Sequence, residues 1–310
     1  MFSYLKQFAV ELVPQSWRLR YRKLQLQKQY TTRKIQILND VFYREIPSLY
    51  PNIAKIAGKE TLDVVRKLAE SFSPRNSSRE LHSISWPLLR HPVFLRENTS
   101  DVAIFCQVIV LEQYKPIISK IATKSPFIID CGSNIGLSSA WLLSQFPAAK
   151  IVTLEPEEEN YKLGCRNLAA YVGQYEALQA AVWSKSGETL FLMNPKETSW
   201  GFQFGLNMPS GNKSHLLATP TIGLNDIVQK SPTGRCDLLK IDIEGGEKEL
   251  FQHDSDEWLN RTLNLAIEIH GEVCDRAVSV ATDKLFSSRW QDGEVTFFTE
   301  HVSPSSNFTG

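Results

Sequence analysis

The sequence predicts an α/β protein: a doubly wound, mostly parallel sheet with helices on both faces, preceded by an N-terminal helical extension. Three observations carry this prediction. Short apolar runs alternate with helical stretches from residue 125 onward. The first run leads through a glycine-bearing turn into a helix. The charged residues of this half gather just after the apolar runs, where such a sheet opens its ligand cleft. The composition agrees. A chain of 310 residues with 42% hydrophobic and 22% charged residues is ordinary for a globular protein. It excludes a disordered, collagenous or disulfide-scaffold description of the whole.

In chain order, residues 1–69 read as helical, with interruptions near Pro14 and at Pro47 and Pro51. Phe2, Leu5, Phe8, Ala9 and Leu12 recur at helical spacing, so the first segment is amphipathic. Residues 72–79 are polar around Pro74 and read as a linker, which divides the chain into an extension, 1–80, and an α/β domain, 81–310. Apolar, β-rich runs place strands at 127–129, 151–154, 177–183, 238–241, 263–269 and 294–298. Helices are expected at 138–145, at 157–171, after the fourth strand through Phe251, and at 276–286.

Lys and Arg number 34 and so do Asp and Glu, a formal net charge of zero. Up to Ile35, however, eight cations (Lys6, Arg18, Arg20, Arg22, Lys23, Lys28, Arg33, Lys34) face one anion, Glu11, so that arm is +7 and the remainder −7. A solvated helical pair accounts for such an arm. It would also suit peripheral contact with an anionic membrane surface through residues 1–35. The five cysteines, Cys106, Cys131, Cys165, Cys236 and Cys274, are widely spaced with no C-x-x-C pair. A zinc site or disulfide framework is therefore not expected, and a reducing, cytoplasmic setting is. The N-terminus does not read as a signal peptide, and no apolar stretch reaches the roughly 20 residues that span a bilayer.

The first strand ends in Asp130-Cys131-Gly132-Ser133-Asn134-Ile135-Gly136. Glycines 132 and 136 let the backbone turn tightly and approach a ligand, and the helix that follows offers unpaired N–H groups. The spacing is G-x-x-x-G rather than the dinucleotide G-x-G-x-x-G, and no Gly-Lys-Ser/Thr phosphate loop follows. An acid at the strand end, Asp130, repels a pyrophosphate but suits an ammonium or hydroxyl donors. A zwitterionic ligand with an amino-acid part, such as S-adenosylmethionine, fits. An ordinary glycine-rich turn looks the same, and the next strand favours the ligand. It ends in Glu155-Pro156, about 20 residues on, where a carboxylate can accept both ribose hydroxyls. Glu157, Glu158 and Glu159 then stabilise the start of a helix.

Ala180-Ala181-Val182-Trp183 closes the third strand without an acid, so adenine contacts would come from backbone or from elsewhere. The fourth strand ends in Lys240-Ile241-Asp242-Ile243-Glu244-Gly245-Gly246-Glu247, the densest charged cluster beside a glycine pair. Asp242 and Glu244, two apart, share a face in extended chain, and Lys240 shares it too. The fifth strand runs into Glu268-Ile269-His270, which puts one histidine in the cleft, either as a base for a hydroxyl proton or as a hydrogen-bonded structural residue.

Together these residues resemble the FkbM-type family of S-adenosylmethionine-dependent (class I) methyltransferases. The segment 239–247 is the most family-specific. Arg96-Glu97-Asn98-Thr99-Ser100-Asp101 and Tyr114 look like the family's lead-in, and the similarity covers about residues 93–299. The resemblance implies a Rossmann-like class I methyltransferase fold with a seven-stranded sheet. It also implies methyl transfer, mostly to oxygen, on a sugar, glycolipid or secondary metabolite. It implies that Asp130, Gly132, Ser133, Asn134, Gly136, Glu155 and Pro156 hold the cofactor, with Ala181 and Val182 beside it. Asp242 and Glu244 would border donor and acceptor.

The protein's main task is then to align an acceptor oxygen and remove its proton, with His270 the first candidate base and Asp242 the second. A divalent metal on Asp242, Glu244 and Glu268 is chemically open, since oxygen ligands suit magnesium. Three carboxylates on neighbouring strand ends do not by themselves assign a metal site. The expected partner is a small-molecule, glycan or lipid-linked acceptor. Trp200 and Phe202, in the long connection 193–219, would either stack on it or anchor the connection to the body. A nucleic-acid acceptor is disfavoured by an acidic body without an Asn/Asp-Pro-Pro-aromatic signature. A nucleoside-binding module without chemistry is disfavoured by the intact turns.

Overall fold

Every residue of Phe127–Cys131 is buried, the pattern of a strand covered on both faces. It lies inside a seven-stranded sheet. The computed structural model describes residues 59–70, 80–193, 203–205 and 216–302. Contacts divide the chain into two compact units, Met1–Asn52 and Ile53–Gly310. The first unit, with the basic arm, lies outside the described residues.

The elements run α1 (Lys59–Glu70), β1 (Leu81–Ile84), β2 (Val93–Arg96), α2 (Asp101–Phe105) continued by a π-helical turn (Cys106–Val110), and α3 (Lys115–Ile118). Then come β3 (Phe127–Cys131), α4 (Leu137–Gln145), β4 (Lys150–Leu154), α5 (Glu158–Leu168), β5 (Tyr175–Leu178) and β6 (Ala181–Trp183). These are followed by β7 (Thr189–Met193), β8 (Gln203–Gly205), β9 (Leu216–Gly223), α6 (Leu224–Val228), β10 (Leu238–Ile241), α7 (Glu247–Gln252) and α8 (Ser255–Asn260). The last are β11 (Leu265–Glu268), α9 (Glu272–Thr282), β12 (Phe286–Asp292) and β13 (Val295–His301).

The main sheet has the order β12-β13-β11-β10-β3-β4-β5. The four pairings among its five strands from β11 to β5 are parallel, while β13 runs antiparallel to β11 and β12. The chain winds outward from β3 through β4 to β5, then returns to the other side of β3 as β10. The crevice between the ends of β3 and β10 is therefore the topological switch point, where ligands bind in such sheets. Under the sheet, Ile129, Leu239, Ile241, Leu265 and Ile267 pack with Leu250, Phe251, Trp258 and Val278 from the helices.

Three elements differ from the sequence reading. The run 177–183, read as one strand, is two. β5 stays in the main sheet, whereas β6 joins β9, β7 and β8 in a second, four-stranded sheet. Both halves are apolar, and only the partner strand decides which sheet each enters. The helix expected at 276–286 ends at Thr282, and Phe286–Asp292 is an edge strand in a hairpin with β13. Its alternating burial suits the edge of a sheet open on one side. Last, α1 contacts β1 and α2 with Val65 and Leu68 buried, so this helix, read as part of the extension, shares a compact unit with the sheet. Among the described residues no helix is long and apolar enough to cross a membrane.

Upstream of β3, the lead-in segment locks onto the body. Arg96 forms a two-pronged pair with Asp101, its Nε and Nη2 each 2.9 Å from a carboxylate oxygen, and donates from Nη2 to Asn160 at 2.7 Å. Asn160 lies in the first turn of α5, the helix that Glu157 caps by accepting from its backbone N–H. The lead-in thus fixes the helix that opens directly after Glu155.

Candidate active site

The turn after β3 is built by backbone geometry. Gly132 has φ +71°, and a Cβ there would stand 1.8 Å from the Asp242 carbonyl oxygen, so this turn and the one after β10 touch through bare backbone. The N–H groups of Gly132 and Ser133 donate to the Leu154 carbonyl at 3.0 and 2.9 Å, which ties the turn to β4. Asn134 adopts φ 50°, a conformation rare for a side-chain-bearing residue, and its N–H donates to Glu155 Oε2 at 2.8 Å. Glu155 Oε1 accepts from the Glu157 N–H at 3.0 Å. Two loops thereby fix one carboxylate at the lip of the crevice, and each oxygen keeps a lone pair for a further donor. Burial pushes the Glu155 pKa up and the two N–H groups pull it back, leaving it at about 7.

Two residues expected to hold a ligand act behind the wall instead. Asp130 is fully buried: Oδ2 accepts from the hydroxyls of Ser138 (2.5 Å) and Ser139 (2.7 Å), and Oδ1 lies 3.1 Å from Lys240 Nζ. Lys240 in turn donates to the carbonyls of Cys131 (3.2 Å) and Gly132 (2.7 Å). Burial alone would lower the Lys240 pKa, but the Asp130 charge outweighs it and the ammonium stays charged. Asp130 therefore braces the turn and the start of α4 rather than reaching a ligand. Gly136 (φ +76°) likewise does not line the pocket. A Cβ there would meet the Cα of Gly164 at 3.2 Å, so its bareness serves the packing of α4 on α5. Removing one member of a buried ion pair costs about 3–5 kcal/mol. Asp130→Asn is accordingly expected to lower the melting temperature strongly while leaving ligand affinity of the folded fraction within a few-fold. A large affinity loss without a stability loss would return Asp130 to the ligand.

The crevice encloses about 1080 Å³, including space open to solvent. Gly132, Ser133, Asn134, Glu155 and Pro156 line one end, with Ala181, Val182 and Trp183 beside them. Asp242, Glu244 and Glu268 line the other end. Sequence reasoning missed a third wall: Ile104, Gln107 and Val108 from α2 and its π-helical turn, then Gln113 and Tyr114, with Glu294 from the β12–β13 hairpin. Gln107 Nε2 donates to Glu294 Oε2 at 3.2 Å, joining the two ends of the domain across the crevice. Of these, Tyr114 had a signal, as part of the lead-in. The π-helical turn, a feature frequent at functional sites, has no sequence signature.

His270 stands behind the acidic end and is not part of the lining. Its Nδ1 is 2.9 Å from Oε1 of the fully buried Glu247. Its Nε2 faces Glu244 Oε2 and Glu268 Oε1, each at 3.7 Å, and Asp242 Oδ1 at 4.0 Å. Burial by itself would lower the imidazole pKa, but the Glu247 hydrogen bond and the surrounding charges lift it to about 9. At neutral pH the free imidazole is thus the minor form. Burial, with the charges of Asp242 and Glu294 added, raises Glu268 to about 8. Glu244 adopts φ 53°, a strained conformation of the kind that collects at functional sites. Trp200 and Phe202 fall outside the described residues.

The sheet order, its terminal antiparallel hairpin and the facing of the glycine turn and the second-strand acid define a class I methyltransferase fold. The methyltransferase FkbM domain matches residues 130–288, just over half the chain. The chain belongs to the FkbM methyltransferase family and carries its methyltransferase domain.

It is 28% identical over 175 residues to Methyltransferase sdnD of Sordaria araneosa, covering 46% of this chain and 66% of that protein. It is 24% identical over 174 residues to Methyltransferase 1 of Beauveria bassiana, covering 51% and 68%. The chain thus spans about two thirds of the length of these relatives. Among solved structures, the METTL16 MTase domain aligns with a TM-score of 0.38 at 8% identity, over 61% of this chain and 66% of that one. At those values it adds nothing to the sheet order.

Proposed function

We propose that this protein transfers a methyl group from S-adenosylmethionine to a hydroxyl oxygen of a neutral, hydroxyl-rich acceptor, such as a sugar, a glycolipid or a secondary metabolite. The observation that carries the reading is a crevice lined by two unlike sets of groups. A carboxylate held by two backbone N–H groups beside a Cβ-free turn stands at one end, and three carboxylates at the other. The donor set fits the cofactor: Glu155 offers lone pairs to ribose hydroxyls, Gly132 admits a close approach, and Ala181, Val182 and Trp183 give an apolar wall for a base.

The cofactor, when bound, supplies an already activated methyl group. The chain's own task is positioning. Asp242 and Glu244 accept hydroxyl hydrogens of the acceptor and disfavour anionic acceptors, and Glu268, raised to about 8, adds a further oxygen for hydrogen bonding. Asp242 and Glu244, which line the crevice, are the nearer acceptors for the departing proton. His270, one layer back and tethered to Glu247, positions these carboxylates. The apolar wall of Ile104, Val108 and Tyr114 keeps water from the transfer path.

The test is calorimetric binding of S-adenosylmethionine and its demethylated product, followed by transfer of labelled methyl to a panel of neutral glycosides, polyols and phenols. Binding in the micromolar range and label on oxygen are expected. No binding would end the donor assignment. Label on nitrogen or carbon alone would end the oxygen assignment.

A further inference from the structure

We propose that Asp242, Glu268 and His270 form a site for one divalent cation, of the magnesium or manganese class, at the acceptor end of the crevice. The inference rests on the methyl-transfer reading for its purpose but not for its existence.

Each of the three offers one ligand atom, and those atoms lie within 4.8 Å of one another. The imidazole is oriented as a ligating histidine is: Nδ1 is taken by the Glu247 carboxylate at 2.9 Å, which turns Nε2 toward the acids. A carboxylate behind a histidine is the usual outer support of a metal ligand, fixing ring orientation and tautomer. The distances from Nε2 to Glu244, Glu268 and Asp242, 3.7, 3.7 and 4.0 Å, are too long for direct hydrogen bonds and short enough for one ion to be shared. A second, independent observation comes from Glu247. It is fully buried, and its Oε2 has no hydrogen-bond partner. Among the described residues its one ion pair is with His270, and Lys240 Nζ is engaged by Asp130 and by the carbonyls of Cys131 and Gly132.

One nitrogen and two carboxylates suit manganese or magnesium better than zinc with its thiolates, and leave positions open for water or substrate. Two of the three residues, Asp242 and Glu268, line the crevice, so the ion would face the acceptor. There it would orient a hydroxyl pair and ease loss of a proton. The acceptor class then narrows to molecules with two neighbouring oxygen ligands.

The experiment is titration of Mn²⁺ into the full chain, followed by electron paramagnetic resonance and calorimetry, with folding checked by circular dichroism. One ion per chain is expected. Glu268→Gln and Asp242→Asn each weaken binding by about 10-fold or more, and Glu247→Gln, which reaches the ligand set only through His270 Nδ1, weakens it about 10- to 100-fold. A second cluster, Glu80, His82 and Glu97, lies outside the crevice, and His82→Ala serves as the control that leaves the ion in place. Where Asp242→Asn does not fold, Glu268→Gln and Glu247→Gln carry the test. No bound Mn²⁺, binding indifferent to these variants, or binding lost in His82→Ala overturns the site. S-adenosylmethionine binding measured in chelator separates the two readings. Cofactor bound without manganese removes the ion alone, and manganese bound without cofactor removes the donor assignment alone.

Discussion

Gly132→Ala is expected to lower the melting temperature by about 10 °C or more and to abolish measurable cofactor binding. Two costs add at this position. At φ +71° any Cβ is strained, by roughly 1–2 kcal/mol. The larger cost is steric: the added carbon would sit 1.8 Å from the Asp242 carbonyl oxygen, which is backbone and cannot swing away. The turns after β3 and β10 must separate, and with them the two ends of the crevice. Gly173→Ala is the internal control. Its φ is +69°, yet nothing lies within 4 Å of an added Cβ, so it carries the strain without the collision and should cost about 1–2 kcal/mol. Equal losses in the two variants would show that the close approach at Gly132 is not what holds the site.

Glu155→Gln should weaken S-adenosylmethionine binding roughly 10- to 100-fold, the range of one or two hydrogen bonds to a charged acceptor. The same residue sets a pH dependence. Its pKa is raised by burial to about 7, so below neutrality the carboxyl is increasingly protonated and a poorer acceptor of ribose hydroxyls. Affinity should therefore rise with pH through about 7 and level off above 8, and Glu155→Gln should flatten that step. For stability the sign is opposite. The folded protein holds this proton more tightly than the unfolded chain, from the ordinary value of 4.5 up to about 7. The contribution to stability is thus full below 4.5 and lost as pH rises to about 7. Calorimetric affinities and melting curves across pH 5 to 9 check both signs. A pH-independent affinity in the wild type would remove Glu155 from the ribose.

Much of the site was legible because it depends on short segments. The turn 130–136, the Glu155-Pro156 step and the run 240–247 each join a buried strand to a helix within a few residues, and the spacing of glycine and acid is local. Strand existence followed from apolar runs such as Phe127–Cys131 for the same reason. What stayed hidden depended on distant partners. The split of 177–183 follows from β6 choosing β9, about 40 residues on. The crevice wall from Gln107 and Tyr114 arises because a π-helical turn from before the sheet lies over its switch point.

Two roles also changed hands for reasons of burial. The strand-end acid Asp130 looked like a ligand group by position, but its partner Lys240 sits on the adjacent strand and draws it inward. Topology left His270 as either a base or a hydrogen-bonded structural residue, and in the fold Glu247 holds its Nδ1 while the surrounding acids raise its pKa.

The amino-acid sequence by itself determined the fold class, the glycine turn after β3, the acid-bearing turn after β4 and the acidic end of the crevice, since each is written in local spacing and polarity. Tertiary structure alone decided which acids face the crevice and which brace it, and where the third wall stands. It also brought ligand atoms of Asp242, Glu268 and His270 within 4.8 Å of one another. The physical reason is that direction and burial of a side chain are properties of the packed sheet. A run of residues specifies only what it can become, and its neighbours across the sheet select the outcome.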